Sequence, residues 1–125
     1  ATGNIIGIHD GVRPLVNHET ISLCFNTAKQ KGNAIPCIPV NDSLRMKEQT
    51  TNKMVDRSLF FRIQTPQVFQ ADVIKQAFNQ PFSEYFTDDA SVIESNGQIV
   101  NLVKGNEENI KITRPVDLKI ALVFI

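Results

Sequence analysis

Five short polar clusters hold the residues of this 125-residue chain that could act on a charged ligand. His9-Asp10-Gly11-Val12-Arg13-Pro14 sets a carboxylate beside a guanidinium. A hard divalent cation such as Mg2+ takes carboxylate oxygen together with substrate phosphate, and the planar fork of an arginine grips phosphate. Asp10 and Arg13 can supply both, or form an ion pair beside a turn. Arg57 in Val55-Asp56-Arg57 suits phosphate, and Thr65 in Gln64-Thr65-Pro66-Gln67 can donate a hydroxyl, although a hairpin arm with a solvated charge pair also accounts for them. Thr87-Asp88-Asp89 reads as part of a site or as a helix cap. Lys111, between Ile110 and Ile112, is fixed in direction on a short strand and suits a phosphate oxygen, or is an exposed strand lysine.

Several other chemistries lack support. Thirteen Lys plus Arg balance thirteen Asp plus Glu, so no overall basic field draws in nucleic acid or an anionic membrane. The six glycines are scattered and form neither a Walker nor a dinucleotide loop. His9 and His18 have no cysteine partners at zinc spacing and read as a strand-end residue and a helix-surface residue. No Ser, His and Asp arrangement has the local context of acyl transfer. Cys24 and Cys37 read as small core residues, which fits a reducing cytoplasm. No apolar run approaches the roughly 20 residues of a membrane span. The chain opens on Ala1 with no basic segment before an apolar signal core, so processing or truncation is open.

Strands and helices alternate around these clusters. Asn4 to Ile8 reads as a buried strand delivering His9 and Asp10 at its carboxyl end, where α/β sheets place ligands. Asn17 caps a helix over His18 to Lys31, with Ile21, Cys24, Phe25 and Ala28 inward and Gly32 as terminator. Asn33 to Val40 is a strand that Pro36 and Pro39 make irregular or an edge. Asn41 to Lys53 is polar and aperiodic, a protruding loop or arm, and Leu59 to Gln64 is strand-like. A helix over Ala71 to Gln80 turns Val73, Ile74, Ala77 and Phe78 inward. Thr87 caps a further helix closed by Gly97, a strand spans Ile99 to Val103, Ile110 to Thr113 alternates as a short strand, and Pro115 opens a helix with Val116, Ile120, Ala121 and Phe124 inward. The expected class is an α/β sheet layered by helices.

In their order along the chain, six segments resemble the 2-C-methyl-D-erythritol 4-phosphate cytidylyltransferase family. They are His9 to Pro14, Pro39-Val40-Asn41-Asp42-Ser43, Val55-Asp56-Arg57, Gln64 to Phe69, Phe86-Thr87-Asp88-Asp89-Ala90-Ser91 and Asn109 to Thr113. The pairing of Val-Asp-Arg with Thr-Asp-Asp-Ala-Ser favours the methylerythritol branch over ribitol-5-phosphate cytidylyltransferases.

The resemblance implies a partial Rossmann-like nucleotidyltransferase sheet of the GT-A type, flanked by helices and carrying a β-arm at about 41–67. It implies transfer of CMP from CTP to 2-C-methyl-D-erythritol 4-phosphate with release of pyrophosphate, in isoprenoid precursor synthesis. Asp10 would touch Mg2+ or the nucleotide, and with Lys111 would be catalytic. Arg13, Ser43, Arg57, Thr65 and Lys111 would line the alcohol phosphate site, with Thr87 beside them. Ser43 keeps the hydroxyl of the more usual threonine. Family arms embrace a second subunit, which implies a homodimer with Arg57 acting in trans. The resemblance covers the carboxyl-terminal part of such an enzyme, without the glycine-rich basic loop that binds the CTP triphosphate. It therefore implies that residues 1–125 alone lack most of the nucleotide cradle. A dimerising phosphate-binding module without catalysis is the expectation from another class.

Overall fold

Asn17 and Gly32 bracket the longest helix, and both act through local chemistry. The computed structural model describes residues 3–125. The Asn17 side chain accepts from the Thr20 N–H, and Gly32 takes the left-handed conformation at φ 97° while its N–H closes on the Ala28 carbonyl. Glu19 in the first turn and Lys29 and Lys31 in the last complement the helix dipole. This helix, α1 (His18–Lys31), follows strand β1 (Ile5–Ile8) and leads into β2 (Asn33–Pro39). The remaining elements are β3 (Leu44–Lys47), β4 (Asn52–Val55), a 3-10 turn (Arg57–Leu59), β5 (Phe61–Ile63), β6 (Gln67–Gln70), α2 (Ala71–Ala77), α3 (Asp89–Ser95), β7 (Leu102–Lys104) and α4 (Pro115–Leu122).

β2 organises the sheet. It pairs antiparallel with β6 through Asn33 and Ala34 and with β5 through Cys37 to Pro39, while β7 runs parallel to it from Ile35 to Cys37. β1 lies beyond β6, antiparallel. The prolines of β2 suggested an irregular or an edge strand; it is central. Pro36 has no N–H to offer, and it sits where the neighbouring strand breaks between β5 and β6, so only its carbonyl is needed, accepting from Gln64 N at 2.8 Å.

Both faces of the sheet are covered at β2 and β6, whose residues are almost all buried. Ala34 and Val68 pack with Cys24 and Ala28 under α1. Ile35 and Phe69 pack on the other face with Ile74 and Ala77 of α2 and Ala90, Val92 and Ile93 around α3. Within the polar stretch after Val40, β3 and β4 make a separate two-stranded hairpin.

Several expected elements differ in detail. The strand expected over Leu59 to Gln64 is shortened by the 3-10 turn, and β1 is half-buried rather than buried. Residues 110–113 form no strand, because Asn109 N and Ile110 N turn back onto Asn106 O and Glu108 O, leaving Ile112 N to Val12 O as one isolated link. α2 stops at Ala77, and Phe78 is exposed. Asp88, not Thr87, caps α3, because its carboxylate reaches Ser91 N at 2.8 Å while Ser91 Oγ receives the Asp88 N–H at 3.2 Å. In α4 only Ala121 and Asp117 are buried; Val116, Ile120 and Phe124 are exposed with Leu118 and Leu122. Ile99 lies outside β7 and is exposed. Among the described residues no helix is long and apolar enough to cross a membrane.

Candidate functional site

The carboxyl end of β1, the break between β5 and β6, the start of α3 and the turn after β7 meet around one cleft of about 540 Å³. Asp10, Arg13, Thr65, Thr87 and Lys111 line it, together with Gln67, Asp88 and Asp89. Five of the seven candidate site residues thus converge, from sequence positions as far apart as 10 and 111.

Arg13 is the most constrained of them. Its Nε donates to Asp10 Oδ2 at 3.1 Å, Nη1 to the Asn109 carbonyl at 2.7 Å and Nη2 to the Ile63 carbonyl at 3.3 Å. Lys111 Nζ approaches the same Asp10 oxygen at 3.7 Å. The alternation expected at Lys111 is absent, yet its direction is still set by this contact and by the Ile112 link to Val12. Two cations therefore share one carboxylate oxygen, and their remaining charge faces the cleft. Arg13, Lys111 and Asp10 together carry one net positive charge, which can attract an anion.

A buried amide network underlies the site. Asn109, fully buried, donates through Nδ2 to Thr65 O at 2.8 Å and to Gln64 Oε1 at 3.2 Å. Gln64 Nε2 donates to Asn106 O at 2.9 Å, and Asn106 Oδ1 accepts from Thr20 Oγ1 at 3.1 Å and Asn17 N at 3.2 Å. The cap of α1 is thus joined to the floor of the cleft. Gln67 does the same for α3, donating to Asp88 Oδ2 at 3.1 Å and accepting from Ala90 N at 2.9 Å.

Sequence reasoning missed these buried amides and one histidine. His9, directly after β1 as expected, bridges Thr65 Oγ1 at 2.9 Å and Arg13 O at 2.9 Å. It also missed the wall of the cleft formed by Phe78, Phe82 and Phe86, the last two in an edge-to-face pair with centroids 6.3 Å apart. Their spacing of four across Pro81, where no helix can continue, was the available signal.

Asp88 and Asp89 line the same cleft as Asp10. Burial, and then the charges of Asp88 and Asp10, push the Asp89 carboxyl above the ordinary carboxylate range. Among the described residues no group of three His, Cys, Asp or Glu is arranged to hold a metal ion. Asp10 is therefore suited to a metal only as one carboxylate beside oxygens that a substrate brings, which is how Mg2+ is usually held.

Ser43 and Arg57 do not line this cleft; they stand on the arm. The charge pair expected there is not formed. Asp56 accepts from Ser58 N and Oγ at 3.0 and 2.7 Å, bonds that hold its carboxyl below the usual range, while exposed Arg57 donates to Asn41 O at 2.6 Å.

Known proteins are similar to this chain along nearly its whole length. The family model described as 2-C-methyl-D-erythritol 4-phosphate cytidylyltransferase matches residues 1–125. A protein of that name from Porphyromonas gingivalis is 48% identical over 124 residues, covering 98% of this chain and 56% of the relative. One from Bacteroides fragilis is 50% identical over 121 residues, covering 97% and 55%. The crystal structure of 2-C-methyl-D-erythritol 4-phosphate cytidylyltransferase from Thermus thermophilus superposes with a TM-score of 0.85 at 30% identity, over 96% of this chain and 61% of that one. The α/β class and the partial Rossmann-like nucleotidyltransferase sheet follow from that superposition. This chain spans little more than half the length of the curated relatives it matches. With a matching model along its whole length, and with residues of four of the six ordered motifs lining one cleft, the chain belongs to the 2-C-methyl-D-erythritol 4-phosphate cytidylyltransferase family.

Proposed function

We propose that residues 1–125 are the carboxyl-terminal part of a single cytidylyltransferase domain, and that their cleft holds the alcohol phosphate of 2-C-methyl-D-erythritol 4-phosphate. The observation that carries this reading is the pair of cations, Arg13 and Lys111, converging on Asp10 Oδ2 at 3.1 and 3.7 Å. In the whole enzyme a phosphate oxygen of the alcohol attacks the α-phosphorus of CTP in line. The bond from that phosphorus to the bridging oxygen breaks, pyrophosphate leaves with the electron pair, and a cytidine diphosphate alcohol remains.

Such a step needs little covalent help from the protein and much charge stabilisation. Arg13 and Lys111 offset the charge of the converging phosphates and hold the nucleophile in direction. Asp10 keeps both cations aimed. Asp10 would hold Mg2+ together with phosphate oxygens of the substrates, and the ion would supply Lewis-acid stabilisation of the same charge. Thr65 and Thr87 line the same pocket. Ser43 and Arg57 of the arm at about 41–67 complete the site of a partner subunit in a homodimer, which their distance from the home cleft and their exposure support. Two buried, unbonded cysteines suit a reducing cytoplasm.

The test is pyrophosphate release by the full-length protein, supplied with CTP, Mg2+ and 2-C-methyl-D-erythritol 4-phosphate. Lys111→Ala and Arg57→Ala should each lower kcat/KM at least about a hundredfold, as expected when a charge-assisted contact to a reacting phosphate is lost. Mixing the two variants should restore part of the activity, because one site of each mixed dimer is intact. Turnover of ribitol 5-phosphate alone would move the chain to that enzyme, and CTP-independent phosphate binding with no turnover would make it a binding module.

A further inference from the structure

His9 and Thr65 form a hydrogen-bond chain whose direction is fixed by elementary chemistry. His9 Nε2 lies 2.9 Å from the Arg13 carbonyl oxygen. A carbonyl can only accept, so Nε2 carries the ring proton. In the neutral imidazole Nδ1 is then an acceptor, and the group 2.9 Å from it is Thr65 Oγ1. Thr65 therefore gives its one proton to His9. Its oxygen also accepts the Asp10 N–H at 3.1 Å. A hydroxyl has one proton and two lone pairs, and only one lone pair is left.

We infer that His9 is a positioning residue that sets Thr65 as a hydrogen-bond acceptor toward the cleft, so that Thr65 reads a hydroxyl of the ligand and not its phosphate. An anionic phosphate oxygen brings no proton to such a lone pair, whereas an alcohol group does. The cleft thereby divides: Arg13 and Lys111 take the anionic end, and the His9–Thr65 pair takes a neutral polyol end, 9% exposed at Thr65. A site built to pair a hydroxyl rejects an analogue lacking it more strongly than an apolar pocket would. This rests on the alcohol phosphate reading above and adds to it which group each residue recognises.

Two measurements on the 125-residue chain test it. Long-range 15N–1H spectra of the histidine rings at pH 8, with His18→Gln used to assign them, should show His9 protonated at Nε2 and free at Nδ1. Protonation at Nδ1, or at both nitrogens, overturns the inference. Calorimetric titration should then show that Thr65→Val weakens D-erythritol 4-phosphate about tenfold or more and leaves inorganic phosphate within twofold. Thr65→Ser should restore the first, and His9→Gln, which keeps the Arg13 contact but loses Nδ1, should blunt the difference between the two probes. Equal weakening of both probes by Thr65→Val returns Thr65 to the phosphate and overturns the inference. Failure of the unaltered chain to bind either probe would remove the phosphate site itself and the hydroxyl reading with it, while the ring spectra would still decide the tautomer.

Discussion

The Asn109 carbonyl accepts from Arg13 Nη1 at 2.7 Å, across 96 positions of sequence, while the side chain of the same Asn109 holds the Thr65 carbonyl from below. One buried residue thus indexes a cation of the site against its hydroxyl. Asn109→Ala leaves Thr65 O and Gln64 Oε1 without a donor, each an orphaned buried acceptor costing about 1–3 kcal/mol. The expected result in urea denaturation is a lower midpoint with an unchanged slope. Unaltered stability would show that these amides are replaceable by water.

Gly105 is a second point of tension beneath the cleft. A Cβ there would overlap Gln64 Oε1 and lie 3.1 Å from Gln64 Cδ. Gln64 cannot swing away, because it is buried and bonded to Asn106 and Asn109. Gly105→Ala should therefore destabilise the chain by about 1–3 kcal/mol, the usual range for overpacking. Adding Gln64→Ala to it should leave a double variant less unstable than the two single losses combined, since the clash is gone.

Asp117 sets the start of α4. Its carboxylate accepts from Thr113 N at 3.1 Å and Arg114 N at 2.9 Å, and the bond from Thr113 is the chief cause that holds it below the ordinary carboxylate range. A lowered folded value means stability that is present above the unfolded carboxylate range and is lost as pH falls through the folded value. Asp117→Asn should lower Tm at pH 7, and the gap to the parent should close on acidification. A gap independent of pH would exclude the charged form as the cause.

The two thiols should be inert in the native chain. Burial pushes Cys24 up to about 11 and raises Cys37, so neither holds much thiolate at pH 8. Iodoacetamide should label neither until denaturant unfolds the chain, read by intact mass. Rapid native labelling of Cys24 would mean that α1 opens from the sheet.

What could be read in advance was governed by range along the chain. Asn17 and Gly32 act on neighbours within one helical turn, so the limits of α1 were legible to the residue. The convergence of Asp10, Arg13, Thr65 and Lys111 was legible because ordered motifs matched a family, not because any local pattern showed it. Pro36 misled because its missing donor falls where the adjoining strand is interrupted, a fact about β5 and β6. Thr87 and Asp88 are both good caps, and Gln67 reaching Asp88 from 21 positions away favours the second. Phe78, Val116 and Ile120 obeyed helical periodicity yet stayed outside the core, because periodicity marks an apolar face without saying whether these residues alone supply its cover.

The hairpin of β3 and β4 shares no ladder with the main sheet; every pairing it makes is internal. It is therefore a part that selection can revise by itself. Changes in its length or sequence alter what the arm presents to a partner without disturbing the cleft of its own subunit, whereas a change at Asn109 or Gly105 is felt at once by several neighbours. Drift should accumulate in 44–55 faster than around the buried amides, and a hairpin grafted from a relative should be tolerated where a grafted 105–111 turn is not.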